Sequence, residues 1–391
     1  MIHVAFLNQY FLVQKEVIGA LKRLPGVRVV VIDIADFPGP IQAEKVCRAL
    51  DQTHCTLVVT INEWGLDAGG IMVEHFKKKS IFHVNWCVDD PFFMEIFHNH
   101  LLTSTSNRLD FVSNRAYATA LRDRGLTAHF LPLAADPSQF FPLAGRTRYV
   151  RSCCFVGNSY RKQIDEFCAG NGPFLESLVP FMGNLLKEYE TDLNFNIENQ
   201  IHKKLAGMDL PQTLPSAKAV FIVKHFISYL FRKNLVRSLA RRYQDFMVFG
   251  DEHWLCDVPK EQVCLTVRYY GNLNETYSGT AINIDINRVV ITEGFTQRIF
   301  DCLAGGNFII TSQKPIVAEF FQTKGEGQEM VVFENEAHCK DLIDYFIKHE
   351  DERLAIASRG MRCVLARHTY EHRIGSMFGV LADHLGKGML H

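Results

Sequence analysis

Twelve apolar runs of strand length, separated by stretches long enough for helices, constrain this 391-residue chain more than any other feature. Ile2 to Leu7 is a continuous apolar run. A helical stripe follows at Val13, Val17, Ala20 and Leu24, stopped by Pro25 and Gly26, and Val27 to Ile34 is the next run. Further runs lie at Cys55 to Ile61, Ser80 to Val88, Leu109 to Val112 and His129 to Leu133. A second cycle opens at Ser152-Cys153-Cys154-Phe155-Val156-Gly157. It continues at Phe246 to Gly250, Cys264 to Tyr269, Ala281 to Ile286, Phe308 to Thr311 and Met330 to Phe333. Runs this apolar, alternating with helices, are those of parallel sheets covered on both faces.

The alternation divides the chain in two, which its length also favours. We expect an α/β protein of two Rossmann-like domains, residues 1–145 and 150–369, with a terminal helix at about 370–391 packing back on the first. The polar, proline- and glycine-bearing stretch Asp136 to Thr147 is the expected link. From Gly170 to Arg242 the cycle is interrupted by about seventy residues that read mostly helical. Residues 218–242 hold seven Lys or Arg and no acid beside an apolar stripe. Such a helix either packs in the core with a solvated basic face or touches a membrane surface or acidic partner.

With 42 basic against 43 acidic residues, no global field collects nucleic acid. The N-terminus enters a strand without a basic n-region, and the longest apolar stretch, Ala219 to Phe231, is interrupted by Lys224, His225 and Ser228. Eleven cysteines without a CxxC pair read as free thiols of a reducing compartment, so the expected location is cytoplasmic.

Parallel sheets bind ligands at the carboxyl ends of their strands, which directs attention to the loops of the second cycle. The stretch Glu293-Gly294-Phe295-Thr296-Gln297-Arg298-Ile299-Phe300-Asp301 continues to Gly305-Gly306 and the strand Asn307 to Thr311, and reads as loop, helix, glycine turn, strand. Backbone N–H groups of residues 295 to 297 at the helix start suit a phosphate. Arg298 and Asp301, three apart, suit a phosphate and a ribose hydroxyl pair; alternatively they form a simple intrahelical ion pair.

Several pieces resemble the CgeB-like glycosyltransferases. They are Asn283-Ile284-Asp285-Ile286-Asn287, Gly294 to Asp301, Ala304 to Thr311, Asp341 to Arg353, and His368-Thr369-Tyr370-Glu371-His372-Arg373. In the first half they are Trp86-Cys87-Val88-Asp89-Asp90-Pro91-Phe92 and Leu131 to Pro137. The resemblance spans most of residues 80–165 and 245–375, and not 170–240. It implies the GT-B architecture, two Rossmann-like domains facing across a cleft, the donor held in the second. It also implies a transferase that moves a sugar, with retention, from a nucleotide diphosphate such as UDP; no metal is expected, because the only paired acids, Asp89 and Asp90, fall on the acceptor side and cationic and helix-start groups offset the diphosphate charge. The acceptor implied is a hydroxyl on a surface glycan or on a protein such as flagellin. Retaining GT-B enzymes use two acids separated by seven residues, the first near the sugar and the second on the ribose; Glu293 and Asp301 have that spacing, with Asp in place of the usual Glu.

The candidate catalytic residues are therefore Glu293, Arg298 and Asp90. Donor binding is expected at Asp301, Thr296, Gln297, Phe295, Gly294, Gly157, Asn158, Arg161, Lys162 and Tyr270, and the acceptor side at Asp89, Trp86 and Asn8. Gly157-Asn158-Ser159-Tyr160-Arg161-Lys162 follows a strand, where a phosphate contact or a solvated turn are both open. Asp89 and Asp90 line the acceptor side or simply cap a helix begun by Pro91. Phe249 to Trp254 and Tyr269 to Leu273 fall at strand ends, where a base could be held or a core filled. No HExxH stands among the histidines, and His349, His368 and His372 read as capping or surface groups. No cofactor is expected besides the nucleotide-sugar co-substrate. A nucleotide-dependent dehydrogenase would need a glycine-rich turn after the first strand, where Asn8-Gln9-Tyr10-Phe11 stands instead. A non-catalytic GT-B maturation or scaffold protein is the other alternative.

Overall fold

A computed structural model describes residues 1–11, 13–34, 39–98, 105–143, 149–169, 171–210 and 214–386. Each apolar run seeds one strand. In the first unit these are β1 (Ile2–Asn8), β2 (Val27–Asp33), β3 (Leu57–Ile61), β4 (Phe82–Cys87), β5 (Arg108–Val112) and β6 (Ala128–Phe130). In the second they are β7 (Arg151–Val156), β8 (Met247–Phe249), β9 (Val263–Cys264), β10 (Thr280–Asp285), β11 (Ile309–Ser312) and β12 (Val331–Phe333). The sheet orders are β2-β1-β3-β4-β5-β6 and β12-β11-β10-β7-β8-β9, with every described pairing parallel. Strands β3, β4, β5 and β10 are buried along their whole length, as expected of a sheet covered on both faces. Two strands differ from expectation. β6 starts one residue early and ends at Phe130, and β9 is only two residues long, the chain from Leu265 to Arg268 running without regular structure.

The compact units are Met1–Ala134 with the described part of Arg367–His391, and Ala135–Ala366. The segment 135–143 packs with the second unit. Phe140 meets the Tyr269 ring edge-on at 5.4 Å, and Asn274 donates to the Phe141 carbonyl. Residues 144–148 of the expected link, and Gly170 at the expected start of the insertion, lie outside the described residues.

The first unit is closed by the helix Tyr370–Leu385. Thr369 and His372 form its capping box, so His372 has the capping role. Buried Arg373 donates to the carbonyls of Pro132 and Leu133, and Arg23 pairs with Glu371.

The interruption of the second unit is helical, with helices at Gly172–Ser177, Val179–Thr191, Ile197–Leu205 and Ser216–Arg242. The last of these corrects the sequence reading. It presents no basic face: apolar residues are buried on all sides, and Lys224 and Arg232 are buried with them. Lys224 pairs with Glu198, while the exposed cations Arg237, Arg241 and Arg242 gather at its C-terminal end. The helix is the centre of the second hydrophobic core, a place that polar spacing alone disguised. Among the described residues no helix is long and apolar enough to cross a membrane. Cys153 and Cys154 are buried free thiols.

Candidate functional site

In the second sheet β7 and β10 are neighbours, but the chain proceeds from β7 to β8 on one side and from β10 to β11 on the other. Open α/β sheets hold ligands at such a reversal, outside the carboxyl ends of the two strands. The loops after β7 and β10 bring together Gly157, Tyr160, Asp285, Arg288, Thr296 and Arg298.

Asp285, the last residue of β10, is fully buried and organises this end of the sheet. Its Oδ1 accepts from Thr296 Oγ1 and Arg298 Nε, and its Oδ2 from Thr311 Oγ1, each at 2.8 Å. Arg298 also donates to the Val156 carbonyl and lies with its Cζ 5.1 Å from the Phe155 ring centre. A Cβ on Gly157 would stand 2.6 Å from Arg298 Nη1 and 2.9 Å from the Phe155 ring, so only glycine leaves room for the guanidinium here.

Two more arginines converge on the same place. Arg232, from the long helix, is 3% exposed and donates to the carbonyls of Asn158 and Ile286, tying the loops after β7 and β10 together. Its Nε is buried without a hydrogen-bond partner. Arg232 and Arg288 lie over the Tyr160 ring at 5.0 and 5.3 Å. Burial, with repulsion from Arg298 and Arg288, lowers the Arg232 pKa to about 10. Three guanidiniums thus gather at this strand reversal, Arg298 on the Asp285 carboxylate, Arg232 on the two loop carbonyls and Arg288 over Tyr160, an arrangement of positive charge that suits an anion.

Residues 293–306 form the expected loop, helix and glycine turn, but the helix is Gln297–Ala304 with Thr296 as its N-cap, so its N-terminus lies slightly later than 295–297. Arg298 and Asp301 do not act as the simple pair considered above: Arg298 turns to Asp285. Asp301 is 1% exposed, its Oδ1 accepting from Gln297 Nε2 at 2.7 Å and, more weakly, from the Tyr269 hydroxyl at 3.4 Å. Phe295 is a core residue, clustered with Phe300, Phe320 and Phe321, so only its backbone is available to a ligand. Gly294 is buried and Glu293 exposed.

The remaining candidates are placed as follows. Arg161 and Lys162 are exposed in the first turn of the helix Arg161–Cys168, and Arg161 makes a solvated pair with Asp165. The Asn158 carbonyl is held by Arg232. Tyr270 is 40% exposed, while its neighbour Tyr269 turns inward to Asp301 and Gln297. The shallow depression beside them is lined by Leu265, Thr266, Val267, Arg268, Gly271 and Asn272.

In the first unit Trp86 is corrected from a ligand contact to a core residue. It is fully buried, donates to the Leu131 carbonyl and packs edge-on against Tyr370. Asn8 is nearly buried and bound to Asp33. Asp89 is exposed and accepts from Asn62, and Asp90 accepts from the Phe92 N–H and the Tyr117 hydroxyl, the capping arrangement.

Sequence reasoning passed over Asp285, Thr311, Arg232 and Arg288 as site residues, and met Tyr160 and Tyr269 only within the wider candidate stretches 157–162 and 269–273. Asp285 had a signal, a lone acid closing an apolar strand. Arg232 had none, because it comes from a helix distant in sequence.

The region that holds most of this cluster also matches a known family. Residues 232–379 match the glycosyl transferase-like family model. That is less than half of the chain. No curated protein matches it. Among solved structures, Anabaena HepE in complex with UDP-glucose aligns with a TM-score of 0.57 at 9% identity, over 98% of this chain and 100% of that one. A glycosyltransferase from Rickettsia africae gives 0.54 at 10%, over 98% of each. Sucrose-phosphate synthase from Thermosynechococcus elongatus gives 0.50 at 9%, over 98% and 99%. At these identities the likeness is one of fold, and the fold is GT-B.

Proposed function

We propose that this protein is a glycosyltransferase that moves a sugar from a nucleotide-diphosphate donor, a UDP-sugar, to a hydroxyl of a surface glycan or of a protein such as flagellin. The observation that carries the proposal is the gathering of Arg232, Arg288 and Arg298 at the strand reversal of the second sheet. The glycosyl transferase-like match across 232–379 and the UDP-glucose bound by HepE support it.

Departure of a nucleoside diphosphate builds negative charge on the leaving oxygens, and preorganised cations lower that barrier. Arg298 is such a group: Asp285 and the Val156 carbonyl fix its plane through Nε and Nη1, and Nη2 donates to no group among the described residues. Arg232 holds the two flanking loops, and the helix start at Thr296 and Gln297 adds N–H donors. These groups replace Arg161 and Lys162 as the principal diphosphate contacts. Cations of the chain itself offset the diphosphate, so the reaction needs no metal. Gln297 and Tyr269 meet the ribose, with buried Asp301 as the positioning residue that orients them, and the surface beside Tyr270 holds the base. Glu293, exposed and separated from Asp301 by seven residues, faces the sugar. Transfer proceeds with retention, the departing phosphate taking the acceptor proton, and no side chain is required as general base.

Calorimetric titration with UDP tests the proposal. Saturable binding to the whole protein that Arg298→Ala weakens at least tenfold is expected, and absence of any nucleotide binding overturns it.

A further inference from the structure

The first sheet has a strand reversal of its own. β1 and β3 are paired side by side, while β2 lies on the far flank of β1 and β4 to β6 continue beyond β3. This is the geometry that leaves a crevice outside the carboxyl ends of two neighbouring strands. The loops after β1 and β3 are held in costly conformations there. Tyr10 and Val13 have φ of 61° and 77°, and Asn62 and Glu63 have 55° and 58°. Positive φ is uncommon outside glycine, least so for Asn62, and for β-branched Val13 it is an outlier.

Neighbouring side chains enforce that backbone. Gln14 Oε1 accepts from the N–H groups of Gln9 and Phe11, and Asn8 Oδ1 from that of Tyr10. Asn62 Oδ1 accepts from the N–H groups of Val88 and Asp89, and buried Glu63 pairs with Arg108. Strain maintained by so many partners commonly marks a ligand site. What this scaffold displays is aromatic: Tyr10 is 77% exposed and Phe11 39%, and the Phe11 ring lies 4.1 Å from that of Trp64, bridging the two loops.

Carboxylates border the aromatic face. Asp33, exposed, is oriented by Asn8 Nδ2 at 2.8 Å and the Tyr10 hydroxyl at 2.7 Å, and exposed Asp89 by Asn62 Nδ2 at 3.0 Å. A carboxylate only accepts hydrogen bonds, and an aromatic face is electron-rich and attracts polarised C–H groups. Groups of that kind complement a pyranose, which offers a C–H face and a rim of hydroxyl donors. They disfavour a phosphorylated or acidic ligand by charge repulsion.

We propose that the strand reversal of the first sheet is a neutral-sugar site, with Tyr10, Phe11 and Trp64 as the stacking face and Asp33 and Asp89 as hydroxyl acceptors. The acceptor substrate is accordingly a glycan. Calling it the acceptor rests on the transferase reading above; the sugar binding itself does not.

The whole protein reports on this site through its fluorescence. Of its three tryptophans, Trp86 and Trp254 are fully buried and Trp64 is not. Emission is followed during titration with the methyl glycosides of glucose, galactose, mannose and N-acetylglucosamine and their disaccharides, with a Ser/Thr-rich peptide titrated separately. UDP binding is measured in parallel by calorimetry. A saturable change with a saccharide, weakened up to about tenfold in Tyr10→Ala and in Phe11→Ala at nearly unchanged melting temperature, is the expected result. Both side chains are exposed, so neither variant is expected to unfold. No saccharide response, a response equal in the variants, or a response to the peptide alone overturns the inference. UDP binding without a saccharide response removes this site and leaves the transferase reading. A saccharide response without UDP binding does the reverse.

Discussion

Replacing Arg298 by Met tests both what holds the second site together and what it is for. The change removes the cation beside Asp285, a carboxylate with no solvent exposure. Breaking a buried pair by deleting one partner costs about 3–5 kcal/mol. Here the hydroxyls of Thr296 and Thr311 remain on Asp285, which places the cost at the low end, about 3 kcal/mol. For a unit the size of Ala135–Ala366 that is a fall in melting temperature of about 6–12 °C. Adding Asp285→Asn to Arg298→Met removes the stranded charge, and the double variant should recover at least half of the loss. UDP affinity behaves differently. It falls about 10- to 100-fold in Arg298→Met, from the loss of charge-assisted bonds to the diphosphate, and the second substitution does not restore it. Thermal melts and calorimetry on the three proteins separate the effects. A loss below 1 kcal/mol in the single variant, or additive losses in the double, would refute the buried-pair reasoning.

Other substitutions probe the same frame. Gly157→Ala drives a methyl group into Arg298 and Phe155, and should cost about 1–3 kcal/mol and weaken UDP binding, both measured on one preparation; unchanged affinity would show that Arg298 need not keep this position. Asp301→Ala should lower stability by about 1–3 kcal/mol and UDP affinity with it, because the buried carboxylate orients Gln297 and Tyr269. A loss of affinity without a change in melting would instead make Asp301 a direct ribose ligand. His225, buried against Phe221, has its pKa pushed down to about 3 by burial. The unfolded chain therefore binds the extra proton from about pH 6.5 downward and the folded one does not until about pH 3, so stability falls as pH drops through that window, by up to about 1.4 kcal/mol per pH unit. Urea midpoints of the wild type and His225→Gln should converge on acidification from pH 7 to 5, and parallel curves would count against a buried neutral imidazole.

Much of the fold was legible because a covered parallel strand leaves an unbroken apolar run. All twelve runs contain or overlap a strand. Where the reading failed, the apolar spacing misled. β9 keeps only two residues of ladder, and the run expected to Tyr269 continues past it without a partner strand among the described residues, its Leu265 half exposed. The helix Ser216–Arg242 looks basic and amphipathic, yet its Lys224 and Arg232 find partners inside the protein, which residue spacing does not reveal. The site was legible where it is local. Residues 293–306 announced their loop, helix and turn. Pairing was not, since Arg298 lies three residues from Asp301 but binds Asp285, thirteen residues away and on another strand. Trp86 resembled a ligand contact because it belongs to the stretch Trp86 to Phe92 with Asp89 and Asp90, near the end of β4, whereas its indole donates to the Leu131 carbonyl inside the core.

The most direct measurement is release of nucleoside diphosphate by the whole protein from a panel of nucleotide sugars, with neutral saccharides as acceptors and with EDTA present. A donor-exchange site built on Arg298 and its neighbours predicts UDP release from at least one UDP-sugar, stimulated by a saccharide, unchanged by EDTA and abolished in Arg298→Ala. No release from any donor, or the same release in wild type and Arg298→Ala, would contradict it.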